Sequence, residues 1–473
     1  MPATSAGMTY LPSALTRSHA SGRAPAKEDP PYNSRLSLPM LLESMASQSE
    51  RIMNKPAHLS AAAHEKQLDR LAEIAIRVGL NLARGQELVM TTPLDGLPLA
   101  RLISDHAYKA GASLVTTLIT DDALTLSRFR HAPEESFDKA SGWLFEGMAS
   151  AFRSGAARLA VVGDDPSLLS AQDPVKVGRA NRARSKAYLP ALELITDFAI
   201  NWTIVAAATP AWAKAVFPAD TPEVALAKLW DAIFAASRVN GADPVSGWTE
   251  HNRALHARKA MLNDKRYAAV HFRGPGTDLR VGLSDGHDWN GGAAKAQNGI
   301  VCNANIPTEE VFTTPHAMRC DGTVRSTKPL SHMGTLIEGI EVRFAGGRVV
   351  EAKATKGQEV LTQMMDTDEG ARRLGEVALV PHSSPISQSG LLFQNTLFDE
   401  NAASHIALGQ AYSKCIVGGG DMDEDELKRR GANRSLIHVD WMIGSAEIDV
   451  DGIDANGNAE PIMRKGEWAV AAK

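Results

Sequence analysis

The hydrophobic pattern of this chain changes character once, after about residue 220, and two folding regimes follow from that change. Before it, helical periods and short apolar runs alternate. Glu65 to Leu80 places Leu68, Leu71, Ile74, Ala75 and Val78 at helical spacing. A turn at Gly85 and a short strand follow, then a helix over Pro98 to Ala110 closed by Gly111, then a β-branched strand over Ser113 to Ile119. Gly155 to Asp164 and Trp202 to Thr209 continue with further strands, and Asn181 to Phe198 is helical with a break or kink expected at Pro190. Such a rhythm predicts a mostly parallel sheet with crossover helices. After the change, helices over Pro222 to Ala236 and Thr249 to Asn263 give way to strands joined by glycine turns. These are Ala269 to Phe272 with Leu279 to Leu283, and Leu336 to Phe344 with Arg348 to Ala354. Tight turns between short strands predict antiparallel hairpins. The expectation is an α/β domain over residues 58–260 with a mostly parallel sheet, and an α+β domain over 261–473 with antiparallel strands carrying the chemistry.

Bulk properties narrow the function. A length of 473 residues calls for two domains. The net charge of -5 lacks the basic excess that nucleic acid or an anionic membrane surface would require. No apolar run is long enough to span a membrane. Cys302, Cys320 and Cys415 are scattered and odd in number, which excludes a disulfide framework and points to a reducing cytoplasm. Residues 1–57 are rich in Ser, Ala and Pro, lack periodicity and predict a flexible extension without the features of a secretory signal. Neither a dinucleotide fingerprint nor a phosphate loop is present, so the Gly-rich pieces at Gly274 and Gly418 are turns.

The polar residues of interest fall in the second half. His438 and Asp440 lie two apart in the β-prone segment Ile437 to Ile443, so a strand would aim both to one face with Ile437, Val439 and Trp441 on the other. A histidine and a carboxylate on an apolar strand are costly to bury unless something binds them, although an edge strand with one wet face is the plainer explanation. Glu376 interrupts the apolar strand Gly375 to Val380. Glu309 and Glu310 follow Pro307 in an expected loop, where an acidic pair is usually solvated. His405 and Tyr412 would share a face if Ala402 to Tyr412 is a helix, with Asp399 and Asn401 placed to cap its start. Each signal is weak alone. Together they supply two glutamates, two histidines, an aspartate and a tyrosine, a set able to hold two divalent ions and hydrolyse an amide.

Several stretches also form longer motifs: Pro307-Thr-Glu-Glu-Val-Phe-Thr313, Asp321-Gly-Thr-Val-Arg325, Leu397-Phe-Asp-Glu-Asn-Ala-Ala-Ser-His405 and His438-Val-Asp440. In these the chain resembles the thermophilic-type metalloaminopeptidases, the aminopeptidase T and aminopeptidase S family, from about residue 60 to the end. The resemblance implies a two-metal exopeptidase acting on short peptides with a free N-terminus. It also implies an α/β domain followed by an α+β metal-binding domain, and a homodimer with its sites facing an enclosed cavity. Transferred position by position, the metal ligands fall on Glu310, Glu376, His405, His438 and Asp440, and the family's tyrosine on Tyr412. His316 and His332 lie outside the motif, and the N-terminal extension has no counterpart in it. The expected cofactor is two divalent ions per chain, Zn, Co, Mn or Mg. A carboxylate, Glu310 or Glu376, would accept the proton of the attacking water, and Tyr412 would donate to the oxyanion. Two other functions are weighed against this one. The first is a metal-dependent hydrolase of another amide, such as an amino-acid conjugate. The second is a catalytically silent binding protein of the same fold.

Overall fold

The computed structural model describes residues 60–332 and 335–469; the expected extension over 1–57 lies outside them. The first half is an α/β layer. Four strands, Glu87–Pro93, Leu114–Thr120, Ala157–Val162 and Trp202–Ala206, make an all-parallel sheet with Glu87–Pro93 and Ala157–Val162 at its centre. Helix Leu97–Ala110 makes the first crossover and ends at Gly111, whose φ of 100° only glycine adopts freely. The core against this sheet gathers Leu71, Ile74, Ile103, Leu159, Trp212 and Phe234, and draws Ile306, Phe393 and Phe398 from far along the chain.

That long-range packing positions the site. Strand Trp202–Ala206 is the last of the parallel sheet, and its open edge is covered by residues 304–306. Ile204 N donates to Ala304 O at 2.8 Å, and Ile306 N donates to Ile204 O at 2.9 Å. The segment that leads into Pro307 and Glu310 is thereby stitched to the first sheet.

The second half is antiparallel. An eight-stranded sheet runs in the order Arg348–Lys353, Glu341–Ala345, Pro315–Arg325, Thr277–Leu283, Ala269–Gly274, Asp449–Ile453, Ala459–Arg464, Glu467–Trp468. A four-stranded sheet runs His438–Met442, His405–Gly409, Leu374–Leu379, Val311–Thr313. Between them lies a second core with Phe272, Val281, Trp289, Phe344 and Trp441. Helix Pro244–Lys265 contributes Trp248 to the first core and Leu255 and Leu262 to the second. No helix among the described residues is long and apolar enough to cross a membrane.

The parallel sheet and the hairpins at Ala269 and Arg348 follow the sequence pattern. Three local expectations do not hold. Helix Pro174–Thr196 is continuous through Pro190, so of the expected break or kink the break does not occur. The stretch from Leu336 to Phe344 is two strands, Thr335–Ile337 and Glu341–Ala345, parted by Gly339 at φ 60°. Ala402 to Tyr412 is not a helix. Glu400–Ala402 is a single 3-10 turn, His405–Gly409 is a strand buried throughout, and Tyr412 lies beyond it. Asn395, not Asp399, caps the short helix Thr396–Asp399. The Asp399 carboxylate instead accepts from the backbone N–H groups of Phe393 and Asn395, at 2.7 and 3.0 Å. The helical spacing is accidental: Ile406 and Leu408 are buried because strands flank them on both sides.

Candidate metal centre

One face of the four-stranded sheet carries the polar groups. In the strand pairing, Asp440 stands opposite Ala407 and Ala407 opposite Glu376, so the three form one row across the sheet. His405 stands between Met442 and Ala378, and Ala378 opposite Phe312. Side chains alternate between faces along a strand, which puts His438, Asp440, His405, Glu376 and Phe312 on one side, with Glu310 two residues before Phe312. The other side, with Val311, Val377, Leu379, Ile406, Leu408 and Trp441, is buried in the second core. The polar face is roomy because the intervening positions are small. Ala378 and Ala407 are fully buried. Gly409, at φ 112° and opposite His438, sits where a Cβ would lie 2.0 Å from the Ile437 carbonyl oxygen. A Cβ on Gly375, beside the bulge that precedes Glu376, would lie 2.2 Å from Gln410 O.

The side chains converge in two groups that share Glu376. His405 Nε2 lies 3.1 Å from Glu310 Oε2 and 3.5 Å from Glu376 Oε1. His438 Nε2 lies 3.5 Å from both Glu376 Oε2 and Asp440 Oδ1. Glu376 thus offers a different oxygen to each imidazole. Both histidines are oriented from behind. Nδ1 of His405 donates to Ala403 O at 3.1 Å, and Nδ1 of His438 donates to Gln410 O at 2.7 Å. A carbonyl can only accept, so the Nδ1 atoms carry protons and each ring is held with its Nε2 turned towards the carboxylates.

The electrostatics are those of a cation site. Glu310, Glu376 and His405 are buried. Among the described residues, Glu310 Oε2 and Asp440 Oδ1 are buried with an imidazole Nε2 as their near neighbour and no well-formed hydrogen bond. Burial raises the Glu310 carboxyl above its ordinary range, and the charges of Glu376 and Asp440 add to the shift. Burial also disfavours imidazolium at His405 and His438, but the adjoining carboxylates outweigh it and raise both. Packing so much negative charge together is unfavourable without positive charge among it. Carboxylate oxygens with imidazole nitrogens are the donor set that zinc, cobalt and manganese prefer. The residues present therefore fit divalent ions.

Tyr412 borders the same cavity, its ring 4.8 Å from that of His438 and edge-on to Phe312. Burial holds its hydroxyl well above the ordinary range, so it stays protonated and able to donate. Two findings differ from the sequence reading. The acidic pair is not solvated: Glu309 and Glu310 are both buried. Glu309 points away from Glu310 and is held by both guanidinium nitrogens of Arg238, with Nη2 at 2.8 Å from Oε2. Its N–H donates to Asn401 Oδ1 at 2.7 Å, which fixes the loop that presents Glu310. The second finding is Glu400, which the sequence reading passed over. It lines the cavity outside both groups, and among the described residues only the Asn305 and Asn401 amides donate to it, at 3.5 and 3.4 Å. Burial, then the charges of Glu310 and Asp440, raise its carboxyl well above the ordinary range. Its sequence signals are its place in the motif Leu397 to His405 and in the polar run Asp399-Glu-Asn401, neither of which distinguishes it from a cap.

Comparison with known proteins gives a consistent picture. The chain is similar to aminopeptidase T of Thermus thermophilus, 55% identical over 408 residues, covering 86% of this chain and 100% of that protein. It is 46% identical to aminopeptidase 2 of Geobacillus stearothermophilus and 43% identical to aminopeptidase AmpS of Bacillus subtilis, with 98% of each covered. The solved structure of wild-type AmpT from Thermus thermophilus superposes with a TM-score of 0.83, covering 86% of this chain and all of that one. The family model for the thermophilic metalloprotease (M29) matches residues 64–468. With that span and those identities, the chain belongs to the thermophilic metalloprotease (M29) family.

Proposed function

We propose that this protein releases N-terminal residues from short peptides using two divalent ions held by Glu310, Glu376, His405, His438 and Asp440. That it is a metal-dependent aminopeptidase follows from its family and its aminopeptidase relatives. The two-ion arrangement rests on one observation, the sharing of Glu376 between two ligand groups through different oxygens. When bound, such ions supply Lewis acidity that polarises a carbonyl and acidifies water.

The chain's own groups do the rest. Glu310, Glu376 and Asp440 are committed as ligands, which leaves Glu400 as the carboxylate that accepts the proton of the attacking water and passes it to the leaving amine. Tyr412 donates to the oxygen of the scissile carbonyl as negative charge builds on it. The acidic end of the cavity is the anionic partner of the substrate's free α-amino group. A cytoplasmic homodimer belongs to the same proposal. Exposed Leu124, Trp143 and Val175 give the first half apolar surface for a partner, and the three cysteines are free and buried.

The test is metal analysis of the purified protein, with a panel of aminoacyl anilides assayed with and without chelator. About two ions per chain and chelator-sensitive anilide release are expected. Full activity in metal-free protein, or chelator-sensitive turnover of other amides only, would overturn the proposal.

A further inference from the structure

The cavity beside the carboxylates has a volume of about 450 Å³ and carries a second set of charges that the metal centre does not use. Arg158, Lys259, Lys295 and Lys414 line it together with Glu310, Glu376, Glu400 and Asp440. Ion pairing is common elsewhere in the molecule: Lys176, Lys228, Lys265 and Lys356 each meet a carboxylate within 3.0 Å. Among the described residues, none of the four cavity cations forms an ion pair. Lys295 and Lys414 are exposed and Arg158 and Lys259 half-buried, so these cations are free to meet an anion that enters from outside the chain.

Two of the four are held in place. Arg158 stands on the central strand Ala157–Val162 with its guanidinium over the Trp202 ring at 5.8 Å, and its Nε is buried without a hydrogen-bond partner. Lys414 Nζ lies 5.3 Å from the centre of the Tyr412 ring and 5.4 Å from those of Phe198 and Phe312. Cation–π contacts on three sides restrict the ammonium without neutralising it. The order along the cavity follows from the rings. Tyr412 touches both His438 and Lys414, so Lys414 is one ring from the metal centre. Arg158 lies further off, beyond Trp202 and Phe198, whose centres are 6.0 Å apart. An extended peptide advances about 3.3 Å per residue, so a chain whose first amide sits at the metal centre brings its end to this wall within a few residues.

We propose that this cationic wall binds the C-terminal carboxylate of the substrate, Lys414 serving the shortest peptides and Arg158 those one or two residues longer. The enzyme would then prefer di- to tetrapeptides with a free carboxylate, recognised at both ends. This rests on the aminopeptidase reading of the same cavity. The experiment compares kcat/KM for Leu-Ala with Leu-Ala-amide, and for Leu-Ala-Ala-Ala with its amide, in the metal-loaded wild-type enzyme, with leucine anilide as a substrate lacking any carboxylate. A charge-assisted contact predicts a preference for the free acid of about tenfold or more, mainly in KM. Lys414→Met should reduce the dipeptide preference below about twofold and Lys414→Arg retain it, while Arg158→Met should act on the tetrapeptide pair. Taking the acid-to-amide ratio within each variant cancels any general loss of activity, and the wild-type comparison needs no variant at all. Chelator-sensitive anilide cleavage with equal rates on acid and amide would overturn this inference alone. An unchanged preference in both methionine variants would do the same. Absence of chelator-sensitive anilide cleavage would overturn the aminopeptidase reading and this one with it.

Discussion

Glu376→Gln is the substitution that separates a shared ligand from an ordinary one. The change is isosteric and removes one charge. Glu376 presents Oε1 towards His405 and Oε2 towards His438, each at 3.5 Å. An amide keeps one oxygen and replaces the other by an NH2 that cannot coordinate, and its oxygen is a weaker donor than a carboxylate. Both groups therefore lose, leaving Glu310 with His405 on one side and His438 with Asp440 on the other. Taking a charged contact as about 1.5–3 kcal/mol, two weakened ions amount to about 3–6 kcal/mol. At about 1.4 kcal/mol per decade, that is on the order of 10² to 10⁴ in the combined affinity. Asp440→Ala removes a ligand from one group only, so it should lose about half as much energy and keep one ion tight. The assay is a titration of metal-stripped protein with Zn or Co, followed by bound metal and by melting temperature. A ligand at about 100 times its dissociation constant adds about 2.7 kcal/mol of stability, so wild type should show two such increments, Asp440→Ala one, and Glu376→Gln neither in the same concentration range. If Glu376→Gln holds two ions with wild-type affinity, or loses only what Asp440→Ala loses, Glu376 is not shared.

The remaining expectations are simpler. His438→Ala should lose metal and turnover while keeping the wild-type far-UV spectrum, since its strand is held by pairing with His405–Gly409; wild-type metal content and rate would make that face of the strand structural. Glu400→Gln should lower kcat by about 10² to 10⁴, the range of general acid–base assistance, with two ions still bound; loss of an ion instead would make it a ligand. Deleting residues 1–52 should leave melting temperature and activity almost unchanged, because relatives matched along their whole length lack a counterpart of the extension; a large loss of either would refute this. One peptide assayed free and N-acetylated under identical metal loading should be cleaved only when free, and equal rates would remove amine recognition.

How much of this was legible in the sequence depends on which interactions decide each element. Strand His438–Met442 was readable because alternation is local. His438 and Asp440 face one way and Trp441 the other in any strand, and the molecule agrees. Glu376 stood out for the same reason. His405 to Tyr412 misled because a seven-residue interval suits two helical turns as well as it suits a strand and a loop. The choice is made by Leu374–Leu379 and His438–Met442, which flank the segment from elsewhere in the chain. The burial of Glu309 was equally out of reach, since its partner Arg238 is 71 residues away. Glu400 was missed because what sets it apart is proximity to Glu310 and Asp440 across the fold, and an acidic residue at the end of a short helix looks like a solvated cap.

The sheet pairing explains how the residues that the family motifs single out come together even where the local structure was misjudged. A ligand set is selected by what reaches one point in space, and in an antiparallel sheet that point is reached through register. Asp440, Ala407 and Glu376 form one row only while Gly409 allows its strand to approach His438–Met442 closely. A larger side chain at Ala407 would enter the space between the two carboxylates without altering any ligand. Small residues between the candidate ligands are thus as much a condition of the proposed site as those ligands themselves. Ala407→Leu should therefore lose metal, while overpacking costs the fold only about 1–3 kcal/mol. In so large a chain that is a shift of a few degrees in melting temperature. Metal content and melting temperature measured on the same sample decide it. An Ala407→Leu protein that retains both ions would show that the space in that row is not where they bind.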